Sequence, residues 1–465
     1  MTPLPSEFVA MMRARLGSAE AAALCEALDS TLPVTAVRLN PFKRGGEALT
    51  AGARPIAWSE YGFRLSQRPE FTVDPSFHGG AYYVQEPASQ FVGWLLAPLR
   101  AEGARILDLC AAPGGKTTLY ASLAGRDGLV VANEPDRRRV NILADNVRKW
   151  GLGNTVVTCN EPSRVAAFEC WFDVVAVDAP CSGEGMFRKD DTARRDWSAG
   201  NVRMCAARQR EILREAWRAL RPGGTLIYST CTFNTIEDEG VLEGFLEEFG
   251  GEVVGPERVE CPASWGIECG STGPFATFRF YPHRTGSEGF FAAAARKAGD
   301  SAGLSGSAAG SAVVPRGRRG LFASADRAAV SELSRWVDEP GQMKFCAVGE
   351  SFYGYHTAQA EVVRMLSESL SVVCSGVEMG RIYKGRLKPE HALAMYVGLN
   401  RGAVSVTELG VADVLDYLRC GTVSPGMFSE GINLVTCNGL AMGFAKRIGN
   451  RVNVMYPNSL RIVHK

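Results

Sequence analysis

The chain is 465 residues long, which at about 150 residues per domain corresponds to roughly three domains. Its 51 basic and 50 acidic residues give a net charge of +1, which excludes binding of nucleic acid through bulk positive charge. The 13 cysteines include no C-x-x-C pair, so zinc ribbons and thioredoxin motifs are not expected. We therefore expect a cytoplasmic protein with reduced thiols and without a metal site.

Two further features concern membranes and domain boundaries. No segment approaches about 18 uninterrupted apolar residues, and the amino terminus lacks a signal-peptide pattern, so no membrane association is expected. Residues 298–320 are rich in Gly, Ser and Ala and predict a flexible linker, because they cannot bury enough apolar area to offset the entropy of ordering. We predict an N-terminal domain over 1–80, a central domain over 81–297 and a C-terminal domain over 321–465.

The middle of the chain alternates between apolar runs and helical patterns. This alternation predicts βαβ units and an α/β fold, a doubly wound parallel sheet with helices on both faces. After residue 320, the pattern indicates a small mixed or barrel-like module of helices and strands. In chain order, the predicted central elements are strands over 105–109, 129–132, 155–158, 174–177 and 225–228 and helices over 116–123, 136–150, 202–220 and 236–249; the C-terminal ones are helices over 362–370 and 411–418 and strands over 433–436, 440–443 and 452–455.

The loop over 108–118 follows the first central strand. It is the expected ligand-binding site of such a sheet, since ligands bind beyond the carboxyl ends of the strands. Its adjacent glycines, Gly114 and Gly115, lack the spacing of a dinucleotide fingerprint. A Walker A loop is the main alternative, although Cys110 stands where that motif requires glycine. A site for S-adenosylmethionine needs a close backbone approach and an acid for the ribose hydroxyls, which Glu134 supplies after the second strand.

Two cysteines follow neighbouring strands, Cys181 in Asp178-Ala-Pro-Cys and Cys231 in Ser-Thr-Cys, so both lie at the ligand edge of the sheet. A thiolate that adds to C6 of cytosine makes C5 able to take a methyl group; a base then removes the C5 proton and the thiolate leaves. This chemistry needs a cysteine of lowered pKa, a second proton-handling group and a carboxylic acid, which Cys231, Cys181 and Asp178 provide as residue types. The target base would have to leave its stack to be reached.

The central domain carries the motifs DLCAAPGGKTT, ANEPDRRR, DAPCSGEGMFRKD, RPGGTLIYSTCTF and FYPHRTGSEGFF. Together, over roughly residues 80–295, they resemble the Nop/Sun family of RNA cytosine-5 methyltransferases. The C-terminal stretches GRIYKGRLKPEHALAM and GLAMGFAKRIGNRVNVMYPNSLR resemble the RsmF branch, whose bacterial members modify 16S rRNA. The resemblance implies a Rossmann-like class I methyltransferase domain between a small N-terminal α/β RNA-binding domain and a C-terminal α+β, PUA-like, RNA-binding domain.

The resemblance also implies roles for individual residues. Cys231 would attack C6, Cys181 would act in release, Asp178 would contact the cofactor or the base, and Lys189 would lie near the target. From the chemistry alone either cysteine could be the nucleophile, because DNA cytosine-5 methyltransferases use the cysteine of their Pro-Cys motif. The residues implied to hold S-adenosylmethionine are Cys110, Ala111, Ala112, Pro113, Gly114, Gly115, Lys116, Glu134, Arg139, Glu161 and Asp178.

The sequence departs from the family pattern in two places. In the third-strand loop, Glu161 or Asn160 stands where relatives usually carry an Asp near the adenine. The segment 37–43 resembles the family's Arg-x-Asn-x-x-Lys stretch only loosely.

We therefore expect a monomeric, cytoplasmic enzyme that transfers a methyl group from S-adenosylmethionine to C5 of cytosine in RNA, and 16S rRNA of the small ribosomal subunit is the favoured substrate. The alternatives are a tRNA substrate, a P-loop-like NTPase and a non-catalytic RNA-binding ribosome assembly factor. A further basic group near the carboxyl terminus is either an RNA patch with an aromatic platform or an ordinary solvated hairpin. Its members are Lys446, Arg447, Arg451, Tyr456 and Arg461.

Overall fold

The computed structural model describes residues 2–30, 32–99, 101–258, 260–299 and 322–463. The segment predicted to be a linker, 298–320, therefore lies outside the described residues except for its first two positions. The described strands form one large mixed sheet and three smaller sheets. Within these described ranges, no helix combines the length and the apolar character needed to cross a membrane.

The amino-terminal part contains short helices and a small sheet. Its elements are α1 (Ser6–Leu16), α2 (Ser18–Ser30), β1 (Ala36–Leu39), α3 (Glu47–Thr50), β2 (Arg54–Pro55), β3 (Gly62–Arg64), α4 (Pro75–His78) and β4 (Tyr82–Val84). The strands pair antiparallel in the order β2-β3-β1-β4. Helices α1 and α2 pack against the central part, since Phe8 of α1 and Leu24 of α2 share an apolar cluster with Phe187 and Phe233.

The central part is built on a sheet whose middle is parallel. Its elements are α5 (Phe91–Leu96), β5 (Arg105–Asp108), α6 (Gly115–Ala124), β6 (Leu129–Asn133), α7 (Arg139–Trp150), β7 (Thr155–Thr158), α8 (Pro162–Ala166), β8 (Phe172–Asp178), α9 (Asp191–Asp196), α10 (Ala199–Ala219), β9 (Leu220–Thr230), α11 (Glu239–Phe249), β10 (Val253–Val254), β11 (Glu268–Thr272), β12 (Phe275–Phe280), α12 (Pro282–Thr285) and β13 (Phe290–Lys297). Strands β9-β8-β5-β6-β7 are parallel neighbours, and β13, β12 and β11 continue the sheet antiparallel from β9.

Helices cover both faces of this sheet. Consecutive strand residues point to opposite faces, so Ile106 and Leu107 of β5 belong to different apolar clusters. The cluster with Leu107 includes Leu213 of α10, and the cluster with Ile106 includes Leu119 of α6. The predicted α/β class is therefore confirmed, with an antiparallel extension that the strand pattern did not predict.

The carboxyl-terminal part contributes two sheets and one strand of the central sheet. Its elements are β14 (Ala323–Ser324), α13 (Arg327–Ser334), β15 (Met343–Val348), β16 (Ser351–His356), α14 (Thr357–Ser369), β17 (Val372–Ser375), β18 (Val377–Tyr383), β19 (Arg386–Pro389), α15 (His391–Met395), β20 (Ser405–Glu408), α16 (Val411–Leu418), β21 (Gly431–Cys437), β22 (Leu440–Ile448) and β23 (Arg451–Val454). The two sheets run β14-β15-β16-β18-β19 and β20-β21-β22-β23, while β17 pairs antiparallel with β7.

One hypothesis for the carboxyl terminus is excluded by burial. Tyr456, considered as an aromatic platform for RNA, is only 6% exposed, and its ring packs against His391 and Tyr417. It is therefore a core residue and cannot stack on a base from solvent.

Candidate functional site

Polar side chains gather where neighbouring parallel strands end. Asp108 and Asp178 are the last residues of β5 and β8. Glu134 and Cys231 come directly after β6 and β9. Because parallel strands share one carboxyl edge, all four residues lie on the same side of the sheet. An open cleft of about 1030 Å³ lies there, lined by three of them, Glu134, Asp178 and Cys231.

The loop between β5 and α6 turns sharply beside this cleft. Gly114 precedes α6 with a φ of +110°, and a Cβ atom there would lie 3.1 Å from Leu143 Cδ1. Glycine is therefore needed both for the backbone conformation and for the close approach of α7. Thr117 Oγ1 donates a 2.6 Å hydrogen bond to Asp108 Oδ2, and burial raises the pKa of Asp108 to about 7.

The ammonium group of Lys116 forms an ion pair with the carboxylate of Asp178. Its Nζ lies 2.8 Å from Asp178 Oδ2 and 5.0 Å from the centre of the Phe290 ring. Asp178 Oδ1 also accepts a 2.8 Å hydrogen bond from Ser229 Oγ. A Walker A lysine has to reach phosphates, and the Walker B aspartate has to hold magnesium. Here the two candidate residues bind each other, which disfavours the NTPase hypothesis.

Glu134 is fixed on the floor of the cleft. Its Oε2 lies 3.3 Å from Arg139 Nη1, and its Oε1 accepts a 3.1 Å hydrogen bond from the backbone N–H of Asp136. Arg139 Nη2 donates in turn to the carbonyl oxygen of Ala112 at 2.8 Å. Arg139 thereby ties the acid after the second strand to the loop after the first, in the arrangement suited to ribose hydroxyls.

The loop after β7 carries the two candidates for the residue near the adenine, Asn160 and Glu161, and their side chains face different parts of the structure. Asn160 faces the C-terminal part, since its Oδ1 accepts from the backbone N–H of Ser371 at 3.1 Å and its Nδ2 donates to the Ser371 carbonyl at 3.4 Å. Glu161 instead lines the cleft. Asn160 is thus engaged elsewhere, which favours Glu161 as the residue that faces a ligand.

Cys181 and Cys231 meet at the edge of the cleft as free thiols, with their Sγ atoms 3.1 Å apart. The backbone N–H of Cys231 donates to Cys181 Sγ at 3.4 Å. The hydrogen bond with Cys231 and burial both raise the pKa of the Cys181 thiol. One sulfur is therefore held protonated beside the other.

Two buried carboxylates join the loops that carry these thiols. Glu184 Oε2 accepts from the backbone N–H groups of Phe233 and Asn234 at 2.7 and 3.1 Å, and its Oε1 accepts from Trp197 Nε1 at 3.0 Å. Glu237 Oε2 accepts from the backbone N–H of Ser182 at 2.9 Å, and its Oε1 accepts from Asn234 Nδ2 at 2.8 Å. The position of each cysteine loop is thus determined by a residue of the other.

The structure separates the predicted site residues into three groups. Lys189 is absent from the lining of the cleft, and its Nζ lies 3.4 Å from Glu288 Oε1. The predicted residues that shape the loop without lining the cleft are Ala111, Pro113, Gly114, Gly115 and Lys116. Those that line the cleft together are Cys110, Ala112, Glu134, Arg139, Glu161, Asp178, Cys181 and Cys231.

Helix α10 forms a wall of the cleft that the sequence reasoning missed. Arg208, Glu211 and Glu215 line the cleft, while Leu213 and Trp217 are buried in the core. The available signal was spacing, since positions three and four residues apart share one face of a helix. The charged stripe of this predicted helix, between the two cysteine motifs, was therefore a candidate for the ligand edge.

The cleft is acidic. Six carboxylates and three guanidinium groups line it. This excess of negative charge disfavours binding of a triphosphate and suits a cationic sulfonium ligand. The carboxylates belong to Glu134, Asp136, Glu161, Asp178, Glu211 and Glu215, and the guanidinium groups to Arg139, Arg208 and Arg214.

A doubly wound sheet with an acidic cleft at its carboxyl edge, lined by two thiols, fits a methyltransferase that uses S-adenosylmethionine. Family profiles match two parts of the chain: residues 94–296 match the 16S rRNA methyltransferase RsmB/F, and residues 4–87 match the N-terminal domain of the 16S rRNA methyltransferase RsmF. Together with a relative that is 31% identical over 99% of the chain, these matches show that the chain belongs to the RsmF family of 16S rRNA methyltransferases.

Relatives and solved structures agree with this assignment. The ribosomal RNA small subunit methyltransferase F of Aeromonas hydrophila is 31% identical over 99% of this chain and 98% of its own length. That of Erwinia tasmaniensis is 40% identical over 52% of this chain and about half, 51%, of its own length. A methyltransferase homologue from Pyrococcus horikoshii is 27% identical, with a TM-score of 0.53 over 63% of this chain and 95% of that one. The NSun6 structure from the same organism, at 20% identity, has a TM-score of 0.53 over 64% of this chain and 99% of that one, and shows the fold.

Proposed function

We propose that this protein methylates C5 of a cytosine in 16S rRNA of the small ribosomal subunit. The observation that carries the proposal is the pair of thiols 3.1 Å apart, in one cleft with Asp178 and Glu134. Bound S-adenosylmethionine would supply the methyl group. A pure RNA-binding assembly factor has no chemical need for two thiols at the ligand edge.

In this proposal Cys231 is the nucleophile. Its sulfur forms a bond to C6 of the cytosine, and the electron pair released at C5 takes up the methyl group. A base then removes the C5 proton, the C5–C6 double bond returns, and the Sγ–C6 bond breaks. The Sγ–C6 bond is thereby broken again and the Cys231 thiolate is restored, while the base passes the C5 proton to solvent and S-adenosylhomocysteine is the product left by the methyl transfer.

Cys181 is proposed to act in the release step. The raised pKa of its thiol and its distance from Cys231 Sγ support a role in proton handling at the sulfur that leaves. Asp178 is proposed to hold Lys116 and to face the cofactor or the base. Lys189 is not proposed to touch the base, because its ammonium group pairs with Glu288 outside the cleft.

Two substitutions test this division of roles. We expect Cys231→Ala to abolish methyl transfer and to form no covalent RNA adduct. Cys181→Ala should accumulate an adduct with 16S rRNA, visible as a shifted band on a denaturing gel. Cys205→Ala, a half-buried cysteine of α10 that is not among the cleft-lining residues, is the matched control and should behave as wild type. An adduct that accumulates with Cys231→Ala instead would exchange the two roles.

The oligomeric state, the cellular location and the domain organisation are also proposals. We propose a monomeric, cytoplasmic enzyme with an RNA-binding domain over 1–80, the catalytic domain over 81–297, a linker over 298–320 and an RNA-binding, PUA-like domain over 321–465. The profile matches to residues 4–87 and 94–296 support separate N-terminal and catalytic domains.

A further inference from the structure

The hairpin of β18 and β19 presents an unusual outer face. In its antiparallel register Arg381 stands opposite Lys388, and Tyr383 stands opposite Arg386. Residues that face each other in a register, and residues two apart along a strand, lie on the same side. All four side chains are exposed, whereas Leu387 on the other side is buried in the core of the C-terminal part. One face of the hairpin thus collects three cations and a tyrosine.

The turn adds a fourth cation and fixes the geometry. Lys384 and Gly385 connect the strands with φ angles of +49° and +74°, the left-handed conformation of a tight two-residue hairpin turn. Lys384 Nζ lies 5.4 Å from the centre of the Tyr383 ring. Tyr383 is 70% exposed, so one face of its ring is open to a ligand.

The four cations of this hairpin outnumber the carboxylates that interact with them, Glu350 and Glu390. Arg381 pairs with Glu350 at 2.7 Å, but both side chains are largely exposed and such pairs contribute little. Among the described residues, Lys384 and Arg386 make no hydrogen bond or ion pair, whereas Lys388 and Arg381 interact electrostatically with the Glu390 carboxylate. Like charges placed directly opposite each other in a hairpin are destabilising. A partner that carries negative charge would remove this repulsion.

We propose that this face of the β18–β19 hairpin binds RNA, with Arg381, Lys384, Arg386 and Lys388 against phosphates and Tyr383 against an unstacked base. Cations arranged around an exposed aromatic ring are the combination that single-stranded RNA requires. The identification of RNA rests on the proposed function. The basic group near the carboxyl terminus lacks this combination, because Tyr456 is buried.

The test is binding of the full-length protein to transcribed 16S rRNA, measured by fluorescence polarisation over a range of salt concentrations. We expect Arg386→Ala/Lys388→Ala to raise the Kd about tenfold and to reduce the slope of log K against log salt by about one to two, as for lost phosphate contacts. Tyr383→Ala should raise the Kd about tenfold without changing the slope, and Tyr383→Phe should leave both unchanged, since a phenyl ring still stacks.

The matched control is Arg218→Ala/Arg364→Ala, which removes two partly or fully exposed arginines, on α10 and α14, that are each paired with two glutamates. A control that weakens binding as much as the hairpin variant, or a hairpin variant that binds within twofold of wild type, would overturn the proposal. So would binding of the same face to anionic lipid vesicles without an effect on RNA. Wild-type protein that binds through the hairpin but transfers no methyl group would instead contradict the proposed function alone.

Discussion

At the scale of single residues, the site depends on buried carboxylates that do not touch the cleft. Glu184 is fully buried, and burial raises the pKa of its carboxyl. Its oxygens receive two backbone N–H groups next to Cys231 and two side-chain N–H groups. The two cysteines could be predicted because each follows a strand in a distinctive motif. Glu184 could not, because its partners come from positions about 13 and 50 residues away in the chain.

We predict that Glu184→Gln destabilises the protein by about 1–3 kcal/mol, because an amide N–H₂ would replace one oxygen and face N–H donors in the interior. Methyl transfer should fall with a lower kcat and a nearly unchanged KM for RNA, since the Cys231 loop loses its support. Thermal unfolding and steady-state kinetics measure the two effects. Glu247→Gln, an exposed substitution on α11, should alter neither.

At the scale of elements, the C-terminal part completes the central sheet. Strand β17 pairs with β7. The residues after β7 are hydrogen-bonded to the segment that precedes β17: the backbone N–H of Cys159 donates to the Ser371 carbonyl at 2.9 Å, and Arg164 Nη2 donates to the Ser369 carbonyl at 2.8 Å. The parallel strands were predictable from their apolar runs. Strand β17 was not, because pairing between residues more than 200 positions apart leaves no periodic signal in the sequence.

We predict that Asn160→Ala weakens the binding of S-adenosylhomocysteine about three- to tenfold, because the loop that carries Glu161 loses the two side-chain hydrogen bonds of Asn160 to Ser371 and keeps only the backbone bond of Cys159. Isothermal titration calorimetry of the full-length protein measures this without turnover. Asn141→Ala on the exposed side of α7 is the control. Equal affinities for all three proteins would show that Ser371 does not position the cofactor loop.

At the scale of the whole molecule, the segment 37–43, which resembles the family's Arg-x-Asn-x-x-Lys stretch only loosely, connects the N-terminal sheet to the central part through hydrogen bonds. Arg38 Nη2 donates to the carbonyl of Gly115 at 3.1 Å, and Asn40 Nδ2 donates to that of Trp150 at 3.0 Å. Lys43 Nζ donates to the carbonyl of Lys149 at 2.7 Å, and burial lowers the pKa of Lys43 to about 7. The near-zero net charge argued against binding through bulk positive charge, but it carried no information about these contacts.

The lowered pKa of Lys43 predicts a pH dependence. Between about pH 7 and pH 10 the unfolded chain binds a proton that the folded protein has released, so the contribution of Lys43 to stability rises with pH. Wild type should therefore gain about 2 kcal/mol relative to Lys43→Met between pH 7 and pH 9. Urea unfolding of both proteins at several pH values measures this difference. A difference that stays constant or shrinks with pH would show that Lys43 titrates normally in the folded state.

Our central proposal is that this protein methylates C5 of a cytosine in 16S rRNA, with Cys231 as the nucleophile that attacks C6. The most direct measurement is bisulfite sequencing of 16S rRNA from a strain that lacks the gene, complemented with wild type or with Cys231→Ala. We predict that wild type restores protection of a cytosine that is unprotected in the deletion strain, and that Cys231→Ala restores none. Protection restored by Cys231→Ala, or no difference in 16S rRNA between the wild-type and deletion strains, would contradict the account.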